Sequence, residues 1–473
     1  MVFFMGAELE SYNVNNETFA SLHLKGPMLK NLASLGYTSM TPVQAHSLPF
    51  ILAGKDVIAK AKTGSGKTAA FGIGLMVDLE LSSLQVQALV ICPTRELADQ
   101  VGKELRRLAR FAENIRILTL CGGVPFGPQS GSLEHGAHVV VGTPGRLLDH
   151  MRRGNLNLSG LRTLVLDEAD RMLDMGFQED ISALIAAAPS KRQTLLFSAT
   201  YPASILAMSN SVQNAAVEVN VDEFHAEGAI EQIFYDVEQD ERIDAVTRIL
   251  GFYRPESTLI FCNTRMECQE LADELLRQGI AALAIHGDLE QRERDQVLAR
   301  FSNRSVSVLV ATDVAARGLD IRELPAVINY ELSRNPEIHT HRIGRTGRAG
   351  EKGLAVSLVT KRENRLIKGI EDALGSTIER REIASLAVSP GRPPLPVMVT
   401  LCIDGGRKNK LRPGDILGAL TGDGGMAGSE VGRIDLFDFY TYVAIVKQSA
   451  GQALTSLSGN RIKGRFFKVR KIN

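Results

Sequence analysis

Short apolar runs alternate with helix-like stretches along this chain, and that alternation limits its fold more than any other feature. Ala88-Leu89-Val90-Ile91-Cys92, the run from Ile115 to Leu120, Val139-Val140-Val141, Leu164-Val165-Leu166 and Thr194-Leu195-Leu196-Phe197 are short and almost continuously apolar. They read as strands buried on both faces, hence as a parallel sheet with helices on either side. From about Asp222 the pattern begins again: Thr258 to Cys262, Ala282 to Ile285, Val306 to Val310, Ala326 to Asn329 and Leu354 to Val359. Two α/β domains of similar size in tandem are expected.

The first repeat carries Ala61-Lys62-Thr63-Gly64-Ser65-Gly66-Lys67-Thr68, placed after Val57-Ile58-Ala59 and before an Ala-rich helical run. Strand, glycine-rich loop and helix start in that order aim backbone N–H groups at phosphate, while Lys67 reaches the terminal phosphates and Thr68 a magnesium ion. Gly64 and Gly66 keep the sharp backbone path, although Ala61 stands where GxxxxGK[ST] begins with glycine. Downstream, Leu164-Val165-Leu166 ends abruptly in Asp167 and Glu168. Acids at a strand end are often only solvated charges. Beside a phosphate loop they acquire distinct roles, in which Asp167 holds Mg2+ and Glu168, off the metal, polarises an attacking water. Phosphate grip plus acidic strand end implies a nucleoside triphosphatase.

Upstream, the Gln44 amide both donates and accepts, as adenine recognition requires, and Tyr37 offers a stacking face. The alternatives are a helix-start residue and a core aromatic. Several strands are followed by polar clusters: Pro93-Thr94-Arg95, Gly122-Gly123, Thr143-Pro144-Gly145-Arg146 and Ser198-Ala199-Thr200. Helix-start N–H groups with hydroxyls and arginines beside them grip a sugar-phosphate backbone without reading bases. In the second repeat, Arg345 and Arg348 lie one helical turn apart, as arginine fingers or as part of an ordinary basic helix.

Composition bounds the rest. A chain of 473 residues with 44% hydrophobic content and zero net charge is globular, and any polyanion site must come from local clustering. Five scattered cysteines without CxxC spacing argue against a disulfide framework and against zinc. No run is long enough to span a bilayer and the start lacks a basic n-region, so a cytoplasmic protein without a membrane partner is expected.

Taken together the motifs resemble those of the DEAD-box ATP-dependent RNA helicases, over about residues 19 to 380. Gly36 to Gln44 resembles the Q motif, Ala61 to Thr68 motif I, Pro93 to Leu97 motif Ia, and Thr143 to Arg146 motif Ib. Asp167 to Asp170 resembles motif II, Ser198 to Thr200 motif III, Ala311 to Asp320 motif V, and His341 to Arg348 motif VI. Phe19, seventeen positions before Gly36, matches the isolated upstream aromatic; Met40 replaces the usual proline of the Q motif. The resemblance implies an ATP site made of Phe19, Tyr37, Gln44, residues 61–68 and Asp320, with Mg2+ on Thr68 and Asp167. It implies catalysis by Glu168, Asp167, Lys67, Arg345 and Arg348, and coupling through Ser198 and Thr200. RNA would run along Pro93, Thr94, Arg95, Gly122, Gly123, Thr143 to Arg146, Thr312 and Asp313.

Beyond Leu386, Ser389-Pro390-Gly391-Arg392-Pro393-Pro394-Leu395-Pro396 reads as a stiff, extended linker. The remainder shows a βαββαβ order: strand (Val397 to Ile403), helix (Arg412 to Leu420), strands (Gly432 to Leu436, Tyr440 to Val446), helix (Gly451 to Leu457), strand (Arg465 to Val469). From Pro390 to Asn473 there are 13 Lys/Arg against 6 Asp/Glu, a surplus that favours a nucleic-acid module. This segment resembles the RNA-binding domain of the bacterial DbpA helicases through Lys408-Asn409-Lys410, Gly422-Asp423-Gly424-Gly425 and Val431-Gly432-Arg433-Ile434. The resemblance implies recognition of a 23S rRNA hairpin and action on pre-large-subunit particles. Asp438, Phe439 and Ile445 depart from the pattern expected of an RNA-reading third strand, so Tyr440 and Tyr442 or, instead, basic loops and helix starts would meet RNA, with Arg407, Lys408 and Lys410 as first candidates for phosphate contacts.

The expected architecture is two RecA-like parallel-sheet domains in tandem followed by a small α+β RNA-recognition-type domain. Residues 1–215 hold the Q motif and motifs I to III, 222–386 motifs IV to VI, 387–396 the linker, and 397–473 the RNA-binding domain. The expected activity is RNA-stimulated ATP hydrolysis coupled to local unwinding. The alternatives are an ATP-gated RNA clamp and a DNA translocase.

Overall fold

A computed structural model describes residues 18–61, 64–221, 230–316, 324–347, 353–386 and 393–472. The chain divides into two compact bodies, one holding the first sheet and the other the second and third sheets.

The first sheet contains β1 (Val57–Lys60), β2 (Ala88–Ile91), β3 (Ile117–Leu120), β4 (Val139–Gly142), β5 (Thr163–Asp167), β6 (Gln193–Ser198) and β7 (Val217–Asn220). All pair in parallel, in the order β3-β4-β2-β5-β6-β1-β7. Strand alternation sends Val57, Ala59, Val90, Val165 and Phe197 into one helical layer with Leu48, Phe71 and Leu105, while Ile58, Leu89, Leu164, Leu166 and Leu196 meet Leu147, Leu184 and Ile205 on the other. Each buried Val, Leu or Ile contributes roughly 1.5–3 kcal/mol by leaving water. Continuous apolar runs thus become two covered faces. β7 was not legible in advance, since its Val-Glu-Val-Asn sequence belongs to an edge with one polar side.

The second sheet contains β8 (Ile230–Asp236), β9 (Thr258–Cys262), β10 (Ala282–Ile285), β11 (Val308–Thr312), β12 (Ala326–Asn329), β13 (Gly353–Val359) and β14 (Arg380–Glu382). It is also parallel, in the order β10-β11-β9-β12-β13-β8-β14. β11 runs two residues further than its apolar stretch and so ends on Thr312.

The third sheet is antiparallel: β15 (Met398–Ile403), β16 (Val431–Leu436), β17 (Thr441–Val446) and β18 (Val469–Ile472), in the order β16-β17-β15-β18. The βαββαβ order holds, but two boundaries do not. The helix expected to reach Leu420 is α-helical only over Pro413–Gly418 and then widens into a π-turn over Ala419–Asp423. The last strand begins at Val469, because Lys463 and Gly464 take positive φ and an Ile462–Arg465 bridge closes residues 461–468 into a loop.

The two faces of this sheet have different partners. Leu401, Ile403, Val443 and Ile445 pack on Ile416, Ala453 and Leu457 of its own helices. Cys402 and Tyr442, on the other face, pack on Ala299 of the helix Gln291–Ser302 from the second parallel-sheet domain. Asn303 Nδ2 donates to Thr400 Oγ1 at 2.9 Å, and the Tyr440 hydroxyl donates to Asp295 Oδ2 at 2.7 Å. Of the two alternatives for RNA contact, stacking on Tyr440 and Tyr442 is the one this packing opposes: Tyr442 has no exposed surface and Tyr440 is engaged by the motor helix.

Candidate active site

The polar residues singled out in the first domain lie where parallel strands end. Residues 61–68 follow β1, Pro93 follows β2, Gly122 follows β3, Thr143 follows β4, Glu168 follows β5 and Thr200 follows β6. That carboxyl edge is where open α/β sheets bind ligands.

Among the described part of residues 61–68, Gly64 and Gly66 have φ of +92° and +97°, a conformation that costs a side-chain-bearing residue about 1–2 kcal/mol. The helix Lys67–Asp78 starts at once, so its first N–H groups face the loop. Lys67 is buried, its Nζ donating to Ala61 O at 2.9 Å. Ala61 N donates to Ser198 O at 3.0 Å, which ties the loop to the end of β6. Gln44 braces it from the other side. Its Nε2 donates to Gly66 O at 3.1 Å and its Oε1 accepts from Thr41 N at 2.9 Å. A Cβ on Gly66 would sit 2.5 Å from that Nε2, so glycine is required both for its backbone angle and for the approach of Gln44. Tyr37 rests edge-on to Phe19, ring centres 6.0 Å apart, and its hydroxyl donates to Glu104 at 2.6 Å. Lys62 and Thr63 lie outside the described residues.

Asp167 is buried at the end of β5, and its Oδ1 has no partner among the described residues. Burial pushes its carboxyl up to about 6, Lys67 opposing the shift and Glu168 adding to it. Thr41 Oγ1 and Ser65 Oγ are likewise buried without a partner. Three unsatisfied oxygens around one glycine loop suit a hard, oxygen-seeking cation and a polyphosphate.

Glu168 departs from expectation in its backbone. It takes φ 55°, ψ 52°, a left-handed conformation at the junction between β5 and the helix Ala169–Asp174. Such strain in a non-glycine residue persists where the surroundings dictate it, often at functional sites. Its Oε2 accepts from Arg171 Nη1 at 2.6 Å, both side chains being almost wholly buried. Arg171 was not foreseen. Nor was a role for Asp170, whose Oδ2 accepts from Ala199 N at 3.2 Å, Thr200 N at 3.1 Å and Thr200 Oγ1 at 3.0 Å. Ser198 Oγ donates to Thr200 O at 2.6 Å. Asp170 therefore joins the acid-bearing turn to the Ser198–Thr200 turn. The readable signal was the fourth position of Asp-Glu-Ala-Asp, three residues after the metal-site candidate Asp167.

The RNA candidates of this domain form a second cluster. Thr94 caps the helix Arg95–Leu108 by accepting from Leu97 N at 3.3 Å. A Cβ on Gly123 (φ +73°) would overlap the Arg95 guanidinium, so Gly122 and Gly123 let that charge lie on the backbone. Pro144 and Gly145 open the helix Pro144–Arg152, and Arg146 Nη1 donates to Val124 O at 3.1 Å.

In the second domain Thr312 ends β11 and Asp313 grips Arg342 bidentately, at 2.7 Å to Nε and 2.7 Å to Nη2. Arg342, 1% exposed, also donates to Glu331 O at 2.7 Å and Asn263 Oδ1 at 2.9 Å. The Asp313 carboxylate is thus committed to positioning Arg342. The helical placement of the arginine pair needs correcting: the helix Pro336–Ile343 stops before Arg345, which occupies the following turn with N–H donating to Arg342 O. Gly344 is the last residue to bond back into the helix, its N–H donating to Thr340 O, and Gly347 takes φ 69° in the turn beyond. Asp320 and Arg348 lie outside the described residues. In the third sheet's domain Arg407, Lys408 and Lys410 are exposed on the turn after β15.

Residues 41–208 match the DEAD/DEAH box helicases, 241–350 the helicase conserved C-terminal domain and 400–471 the DbpA RNA binding domain. The ATP-dependent RNA helicase DbpA of Escherichia coli is 52% identical over 96% of this chain and 99% of its own. The DEAD-box ATP-dependent RNA helicase CshA of Bacillus cereus is 43% identical over 78% of this chain and 70% of its own. Dbp5 of S. cerevisiae, solved bound to RNA and ADP BeF3, superposes with a TM-score of 0.70 at 30% identity, covering 78% of this chain and 96% of that one. The chain belongs to the DEAD-box ATP-dependent RNA helicases, and to those among them that carry a DbpA RNA binding domain.

Proposed function

We propose that this helicase uses ATP to remodel a hairpin region of 23S rRNA on pre-large-subunit particles in the cytoplasm. The observation that carries the proposal is the DbpA RNA binding domain at residues 400–471, in a chain that also carries buried Asp167 and Glu168 at the end of β5 and buried Lys67 on the glycine-rich loop. Among the described residues no helix is long and apolar enough to cross a membrane.

In this reading residues 61–68 hold the phosphates, with Lys67 exchanging Ala61 O for phosphate oxygens, and Phe19, Tyr37 and Gln44 meet the adenine. Asp167 and Thr68 would hold Mg2+, which supplies neutralisation of phosphate charge when bound; the orphaned Asp167 Oδ1 suits it. Glu168, fixed by its left-handed backbone and by Arg171, orients the water that attacks the terminal phosphate. Asp320, Arg345 and Arg348 stabilise the charge that develops on it. Hydrolysis is reported to the RNA track through Asp170, which holds Ser198-Ala199-Thr200. Pro93 to Arg95, Gly122, Gly123, Thr143 to Arg146 and the backbone of Thr312 and Asp313 hold sugar-phosphate, which positions RNA without specifying sequence. Specificity then falls to residues 397–473.

The deciding experiment measures ATPase activity of the full chain against a panel of rRNA fragments and unrelated duplexes of equal length. The expected result is strongest stimulation by a 23S hairpin fragment. Equal stimulation by every RNA would reduce the protein to an RNA helicase without a ribosomal address.

A further inference from the structure

Neither face of the third sheet is open over its two central strands, β15 and β17. One side carries its own helices, and on the other Tyr442 is buried while Tyr440 is held by Asp295, with the Arg292 guanidinium 5.1 Å from its ring centre. A base stacked there would have to displace the helix Gln291–Ser302. RNA is left with edges and loops.

Two loops meet at one end of the sheet. Lys463 Nζ donates to Lys410 O at 2.8 Å, and Asp404 N donates to Lys468 O at 2.9 Å. Gly405 lies so close to the Phe467 ring that a Cβ would collide with it, so the loop after β15 is pressed onto the loop before β18. Within residues 405–410 and 461–468, seven are Lys or Arg and none is Asp or Glu. Asp438 at 3.6 Å from Arg407 and Asp415 at 3.5 Å from Lys463 offset two of these charges. From this basic ridge Phe466 projects with 60% of its surface exposed, the Arg461 guanidinium 5.3 Å from its ring centre. The core does not use that ring. An exposed aromatic flanked by a guanidinium is a stacking platform for an unpaired base, and the surrounding cations suit the phosphates on either side. Lys410 and Lys463 both take positive φ, at 61° and 52°, so this ridge also concentrates backbone strain of the kind kept at binding sites.

We propose that the C-terminal domain receives unpaired RNA bases on Phe466 and Arg461, with phosphates held by Arg407, Lys408, Lys410 and Lys463, while its sheet face fixes the domain to the motor. The identity of the RNA rests on the proposed 23S target; the location of the surface does not. The test uses the full chain and a 23S rRNA hairpin fragment carrying 4-thiouridine in its loop, photocrosslinked and mapped by peptide mass. Adducts are expected within residues 461–468. Phe466→Ala should weaken equilibrium binding by about 5- to 150-fold and Phe466→Tyr should restore it, as stacking requires. Lys463→Gln should lower the slope of affinity against salt by about one. Without RNA the ATPase rate of each variant should be unchanged. Adducts within residues 436–442, or unaltered affinity in Phe466→Ala, would overturn the proposal. If the unsubstituted chain bound the 23S fragment and an unrelated hairpin equally, the ribosomal reading would fail while the Phe466 result stood.

Discussion

The Tyr440 hydroxyl donates a 2.7 Å hydrogen bond to Asp295, joining the C-terminal sheet to the motor helix Gln291–Ser302. A phenol bonded to a carboxylate and half-buried beside Tyr442 contributes about 1.5 kcal/mol to that junction, the low end for a hydrogen bond to a charged group. Tyr440→Phe should therefore increase hydrogen exchange along residues 291–302 and 398–403 by about tenfold or more, with the first sheet unaffected. Unchanged exchange would show that apolar packing around Ala299 and Cys402 suffices.

Glu168→Gln keeps the shape and an acceptor for Arg171 but removes the charge proposed to orient water. Hydrolysis should fall by about two to four orders of magnitude while ATP and RNA binding persist. Near-normal turnover in a single-turnover assay would remove Glu168 from the chemistry.

Asp170→Asn weakens three hydrogen bonds to Ala199 and Thr200 at a buried site. RNA binding and basal hydrolysis should change less than about threefold, whereas strand displacement per ATP should fall tenfold or more, a difference of about 1.4 kcal/mol in coupling. A parallel loss of both activities would make Asp170 a fold residue rather than a link.

Gly66→Ala combines a φ of +97° with a Cβ 2.5 Å from Gln44 Nε2. The phosphate loop should be displaced, costing about 1–3 kcal/mol locally and at least tenfold in ATP affinity. Calorimetry with a non-hydrolysable nucleotide would detect either outcome.

His339 is fully buried against Phe234, its ring nitrogens without partners among the described residues, and burial followed by the nearby Arg342 charge lowers it to about 4. The unfolded chain binds this proton near pH 6.5 and the folded chain only near 4, so stability is full above 6.5 and is lost as pH falls toward 4. The loss across that window is about 3 kcal/mol. His339→Phe should flatten the dependence in urea unfolding of the second domain. An identical pH profile in the variant would assign the acid lability elsewhere.

The sequence by itself determined the two parallel sheets, because uninterrupted apolar runs such as Leu164-Val165-Leu166 can be buried only on both faces. It also determined the turn between β1 and the helix Lys67–Asp78, since the positive φ of Gly64 and Gly66 is a matter of local backbone geometry. Even the order of the last domain was legible, because its strand and helix periods are local properties. Tertiary structure decided the rest, for one physical reason: those contacts join segments far apart in the chain. Asp170 meets Thr200, Gln44 meets Gly66 and Tyr440 meets Asp295, 145 residues apart in the last case. The end of the helix before Arg345 and the loop over residues 461–468 were misread because glycines and a strained lysine outweigh periodicity there. The face of the third sheet was the largest surprise: alternation identifies two faces, but only packing assigns one of them to the motor rather than to RNA.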